Sequence, residues 1–253
     1  MTVTQFFDTP QGRRIAYHKS GTKGPTVVFL GGLKSDMEGT KAVQLEAWAQ
    51  ARGQKFLRFD YSGHGESDGA FEDGCIGDWH EDTVAAIHAL TDGPLIVVGS
   101  SMGGWQALLL AKAMPERIQG MVTIAAAPDF TEDSYWAGFS PEQKAQLEAE
   151  GQVALPSDYM EPYIITKRMI VDGRDRLVLR APLALPFPTR FLQGTEDTAV
   201  NSSVAYQLLD HVEGDDIQLQ MVKGKDHRFS DSICLKLIEL KVEEVIGASQ
   251  FSQ

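Results

Sequence analysis

An apolar run, Pro94 to Val98, enters Gly99-Ser100-Ser101-Met102-Gly103, and a helix-forming run leaves it. A strand that turns directly into a helix strains the turn residue and tolerates only small neighbours where its two arms meet. Gly99 and Gly103 meet that demand. The spacing predicts a sharp elbow with the Ser101 hydroxyl standing clear of a sheet edge. A helix starting at Met102 points its unbonded N–H groups at the same place, where they would meet negative charge. Ser101 is the candidate nucleophile.

Around this elbow, short β-branched or apolar runs alternate with amphipathic stretches, the pattern of βα units on a mostly parallel sheet. Strands are expected at Arg14–His18, Thr26–Leu30, Lys55–Asp60, Leu95–Gly99, Gln119–Ile124, Thr189–Gln193 and Ile217–Val222. Helices are expected at Lys41–Ala51, Trp79–Leu90, Gly104–Met114, Ser202–His211 and Asp231–Ile246. The alternation breaks between Asp129 and Phe187. A structureless loop of that length does not suit a compact domain. The segment therefore reads as a small helical cap inserted in one α/β domain spanning 1–253, with helices at Pro141–Glu150 and Pro162–Val171. Its apolar side chains (Phe130, Tyr135, Trp136, Phe139, Tyr159, Met160, Tyr163, Ile164, Met169 and Leu183) exceed what a short insertion can bury, so some should wall a pocket over Ser101.

A serine nucleophile needs a base and a group to orient the base. His227 follows the last strand through Lys223-Gly224-Lys225-Asp226, at the sheet edge where open α/β sheets bind ligands. His64, in Asp60-Tyr61-Ser62-Gly63-His64-Gly65-Glu66-Ser67, shares that edge. Chain order favours His227, because the nucleophile of such an elbow precedes its partners. Of Glu196 and Asp197, after the strand Thr189–Gln193, Asp197 is the better candidate for the orienting acid, since the turn after Gly194 aims it inward. Asp226 is the weaker rival. The loop Gly31-Gly32-Leu33 lets the backbone approach closely, so the N–H groups of Leu33 and Met102 can converge on a developing oxyanion.

The Gly99–Gly103 elbow, the Gly194-x-x-Asp197 turn and His227, in that order, resemble the α/β-hydrolase superfamily. More narrowly, Gly39-Thr40-Lys41-Ala42, Arg58-Phe59-Asp60-Tyr61-Ser62-Gly63, Gly99 through Trp105 and Asp226-His227-Arg228 resemble its mitochondrial branch of palmitoyl-protein thioesterases and acyl-glucuronide esterases. The resemblance implies the α/β-hydrolase fold: a mostly parallel eight-stranded sheet flanked by helices, with a small helical cap. It also implies a Ser101–Asp197–His227 triad, an oxyanion hole from Leu33 and Met102, and hydrolysis of thioesters or esters without metal or cofactor. A carbon–carbon hydrolase or a peptidase would use the same triad. A non-catalytic, ligand-binding member of the fold would normally have lost part of it.

The formal net charge of -12 argues against a nucleic-acid partner, because phosphate binding needs matched positive charge. A small molecule or an S-acyl protein is the expected substrate. No cationic start with an apolar run is seen in Met1 to Tyr17, and no stretch is apolar enough for a bilayer span. The expectation is a cytoplasmic protein without the transit peptide of the mitochondrial branch, hence a bacterial relative. Cys75 and Cys234 read as buried thiols.

Overall fold

The computed structural model describes residues 3–156 and 162–251. In chain order the strands are β1 (Gln5–Asp8), β2 (Arg14–Ser20), β3 (Lys23–Leu30), β4 (Gln54–Phe59), β5 (Leu95–Ser100), β6 (Ile118–Ile124), β7 (Gln152–Leu155), β8 (Tyr163–Thr166), β9 (Leu183–Ala184), β10 (Thr189–Gly194), β11 (Val212–Glu213) and β12 (Ile217–Val222). The helices are α1 (Thr40–Arg52), α2 (Ile76–Leu90), α3 (Met102–Ala113), α4 (Pro141–Glu150), α5 (Lys167–Arg174), α6 (Ser202–His211) and α7 (Ser232–Phe251). Eight strands form the central sheet in the order β1-β2-β4-β3-β5-β6-β10-β12. Only β1 with β2 and β2 with β4 run antiparallel.

Seven of these strands carry the expected segments. The eighth, β1, lies outside them because its Gln5-Phe6-Phe7-Asp8 is an edge strand with no fully buried position, so there is no apolar face to read. Strands β5 and β10 are buried at every residue, as a sheet covered on both faces requires. Alternate side chains then serve two separate cores. Val28, Leu30, Val97, Met121 and Phe191 pack with Trp79, Ile87 and Leu108 of α2 and α3. Val27, Phe29, Ile96, Val98 and Leu192 pack with Leu45 and Trp48 of α1 and Ile238 and Val242 of α7.

The chain between β6 and β10 is not wholly helical. The helix expected at Pro162–Val171 is instead strand β8 followed by α5, because Tyr163-Ile164-Ile165-Thr166 is β-branched and aromatic and pairs antiparallel with β7. Thr166 ends the strand and starts the helix, its hydroxyl accepting the Met169 N–H at 3.1 Å. Helix α4 has its expected bounds, opened by a reciprocal Ser140–Gln143 capping box and closed by Gly151 in the left-handed conformation. The buried carboxylate of Asp129 accepts the N–H groups of Val178 and Leu179 at 2.8 and 3.0 Å, tying the start of the chain between β6 and β10 to a point near its end. Among the described residues no helix is long and apolar enough to cross a membrane.

Candidate active site

Ser101 lies between β5 and α3 with φ 55° and ψ -117°. A non-glycine residue persists there only when its surroundings impose it. They do so from both sides. Ser101 N–H donates to the Ile124 carbonyl at 2.9 Å, and its own carbonyl accepts the Ala127 N–H at 3.1 Å, strapping the elbow to the end of β6. A Cβ on Gly99 would overlap the Gly103 carbonyl, and one on Gly103 would overlap that of Leu30. The two glycines are what allow β3, β5 and α3 to meet at the serine.

His227, in the loop after β12, sets Nε2 3.0 Å from Ser101 Oγ. Its Nδ1 is 2.8 Å from Asp197 Oδ2. The Asp197 carboxylate has no exposed surface and is fully engaged. Oδ1 accepts the N–H groups of Ala199 and Val200 at 2.9 and 2.8 Å. Oδ2 accepts the Gln193 side-chain amide at 2.9 Å as well as the imidazole. Burial alone would raise the pKa of this acid, but the His227, Val200 and Gln193 donors outweigh it and hold the carboxyl below its ordinary range. Nδ1 is therefore the protonated ring nitrogen, and Nε2 is left to accept from the serine hydroxyl.

The competing residues are not part of this chain of hydrogen bonds. Glu196 is exposed, its N–H donating to Lys225. Asp226 is spent on the Phe229 N–H at 3.2 Å. His64 is buried, with both ring nitrogens bonded to the backbone, at Ser62 and Lys34. The acid and base loops are pressed together at Gly194, where a Cβ would overlap the Lys225 carbonyl. Gln193 has no part in the expectations from sequence. Its signal is an amide side chain at a fully buried position of a strand, which must find polar partners.

Met102 is the first residue of α3, so its N–H has no acceptor within the helix. Leu33 is in the loop after β3. Both line a cavity of about 610 Å³ that opens on Ser101 and His227. Its apolar lining includes Leu33, Met102, Ala127, Phe130, Tyr135 and Tyr163. Its polar lining includes Ser35, Asp36, Lys41, Asp226, Arg228 and Ser230. Lys41 Nζ donates to the Arg228 carbonyl at 2.6 Å and ties α1 to the His227 loop. Of the large side chains between β6 and β10, Phe130, Tyr135 and Tyr163 reach the cavity, whereas Phe139, Met169 and Leu183 are buried in the core. Tyr159 and Met160 lie outside the described residues.

The profile of the α/β-hydrolase fold matches residues 25–182. The chain belongs to the α/β-hydrolase family. Within it, the mitochondrial palmitoyl-protein thioesterase ABHD10 of Pongo abelii is 34% identical over 247 residues, 97% of this chain and 80% of that protein. Among solved structures, a putative hydrolase from Agrobacterium vitis S4 superposes with a TM-score of 0.93 at 36% identity, covering 97% of this chain and 99% of the other. Mouse α/β-hydrolase domain-containing protein 10 superposes with a TM-score of 0.89 at 29% identity, covering 97% and 98%. These α/β-hydrolases match nearly the whole of this chain.

Proposed function

We propose that this α/β-hydrolase cleaves carboxylic thioesters and esters through an acyl-enzyme on Ser101. The observation that carries the reading is the continuous chain from Ser101 Oγ through His227 to the buried Asp197 carboxylate, at 3.0 and 2.8 Å. Palmitoyl-protein thioesterase as the name of the 34% identical relative supports thioesters within that class.

In the first half-reaction Ser101 Oγ attacks the acyl carbon while its proton passes to His227 Nε2. The carbonyl π electrons move onto oxygen, where the Leu33 and Met102 N–H groups receive the charge. Each such donor is worth about 3–4 kcal/mol in the transition state. Collapse of the tetrahedral species breaks the bond to sulfur or oxygen, and His227 returns the proton to the leaving thiol or alcohol. Water then repeats the sequence on the acyl-enzyme, freeing the acid and Ser101. Asp197 stays ionised throughout and holds the imidazolium. The segment 129–187 acts as a cap whose Phe130, Tyr135 and Tyr163 receive the acyl chain. The expected cytoplasmic location belongs to this reading, although ABHD10 is named mitochondrial.

The test is labelling with a fluorophosphonate, followed by mass mapping of the adduct. Label on Ser101, with label and turnover both lost in Ser101→Ala but kept in Ser100→Ala, is the expected result. Label on Ser100, or turnover surviving in Ser101→Ala, overturns the mechanism.

A further inference from the structure

His64 is 4% exposed and sits among Tyr61, Phe71 and Trp79, whose ring centroids lie 5.6, 5.5 and 5.1 Å from its own. Nδ1 is 3.2 Å from the Ser62 carbonyl oxygen, which can only accept, so Nδ1 bears the proton. Nε2 is then an acceptor, and the Lys34 N–H donates to it over 3.1 Å. Burial pushes the imidazole pKa down to about 4, which keeps that nitrogen free to accept.

Lys34 follows Leu33 directly and holds φ 55°. A lysine has no intrinsic reason to occupy the left-handed region, so the strain must be imposed from outside. We propose that His64 is a positioning residue for the oxyanion hole. By accepting the Lys34 N–H it locks one of the two peptide planes that meet at Leu33, and so aims the Leu33 N–H carried by the other. The far end of the same loop is held from the same segment of chain. Asp60 Oδ1 accepts the Met37 N–H at 2.6 Å, and Arg58 Nη1 donates to the Met37 carbonyl at 2.6 Å. The strand and loop from Arg58 to His64 thus form a rigid bed for a loop that has to present one N–H to within a few tenths of an ångström. This assignment rests on the oxyanion hole of the proposed function.

The experiment compares His64→Gln, His64→Asn and His64→Leu with the wild type. It measures p-nitrophenyl butyrate turnover and inhibition by a trifluoromethyl ketone, which adds to Ser101 Oγ to leave an oxyanion. The Gln amide oxygen reaches the place of Nε2, whereas Asn stops short and Leu has no acceptor. Since deletion of a whole oxyanion donor costs about 10²–10³ in turnover, misaiming one should cost about 10–100-fold. That loss is expected in kcat for His64→Asn and His64→Leu, with KM unchanged and ketone affinity falling by the same factor, while His64→Gln stays within about 5-fold of wild type. Wild-type kcat in His64→Asn, or a loss confined to KM with ketone affinity intact, overturns the assignment. Should His64→Asn and His64→Leu fail to fold, His64→Gln and nitrogen NMR of the wild type decide. Coupling between the Lys34 and Nε2 nitrogens with a protonated Nδ1 supports the assignment, and a protonated Nε2 overturns it. A wild-type enzyme that ignores the ketone would instead remove the oxyanion-hole reading itself.

Discussion

Replacing Asp197 by asparagine changes one oxygen to an amide in a pocket where every neighbour is a donor. At the Oδ1 position the new NH₂ would face the Ala199 and Val200 N–H groups, whose acceptor sits 2.9 and 2.8 Å away and whose backbone cannot turn. At the Oδ2 position it would face the Gln193 amide and His227 Nδ1, at 2.9 and 2.8 Å. The second clash is the cheaper one to relieve, because His227 can change tautomer and Gln193 can turn its amide over at the loss only of its 3.3 Å bonds to the Gly194 and Val200 carbonyls. The proton then sits on Nε2, 3.0 Å from Ser101 Oγ, and the imidazole can no longer accept from serine. An acid-to-amide change with this consequence costs about 10³–10⁴ in kcat, or about 4–5 kcal/mol. Stability should fall much less. Losing the charge from these hydrogen bonds is worth about 1–2 kcal/mol, or about 2–8 °C in Tm for a chain of this length. Steady-state hydrolysis of p-nitrophenyl butyrate, with a thermal melt of the same sample, separates the two effects. The reasoning fails if Asp197→Asn keeps more than about a tenth of wild-type kcat, or if Glu196→Gln loses more than Asp197→Asn does.

Catalytic efficiency on p-nitrophenyl esters should rise from acetyl by up to about fourfold per methylene, the equivalent of about 0.8 kcal/mol each, until the Phe130–Tyr135–Tyr163 wall is covered. Equal efficiency from acetyl to octanoyl would remove the acyl role of that wall. Gly103→Ala should cost about 3 kcal/mol or more, because its Cβ would strike the Leu30 backbone, which cannot yield. A Tm within about 2 °C of wild type would refute this. Acid should destabilise the fold between about pH 6.5 and pH 4. His64 and His80 are both pushed down by burial to about 4, so each is neutral in the folded chain where the unfolded chain binds a proton. Their stabilisation, about 3 kcal/mol each, is complete above the ordinary 6.5 and lost as pH falls through 4. Asp60, raised by burial to about 6, and Asp129, also raised by burial, act in the opposite direction over part of this range and reduce the net loss. A Tm that holds steady from pH 7 to pH 4.5 would contradict the assignment.

The parts of this protein that were legible in its sequence are those that one short segment fixes by itself. The elbow needs Gly99 and Gly103 beside Ser101, and those steric demands are local. A strand covered on both faces announces itself as an apolar run, which is why β5 is readable and the exposed edge strand β1 is not. The order of Ser101, Asp197 and His227 and the turns that carry the last two could also be read along the chain. Tertiary structure decided everything that depends on groups far apart in sequence. It is packing that sets Glu196 outside and Asp197 inside, and that supplies Gln193 as a fourth donor to the carboxylate. Pairing with Gln152–Leu155 makes a strand of Tyr163–Thr166 inside a segment expected to be a helical cap. His64 looked like a second base as long as only its loop was known. It became a backbone anchor because folding brought the Lys34 N–H, thirty residues earlier, within 3.1 Å of its ring and closed both nitrogens to other chemistry.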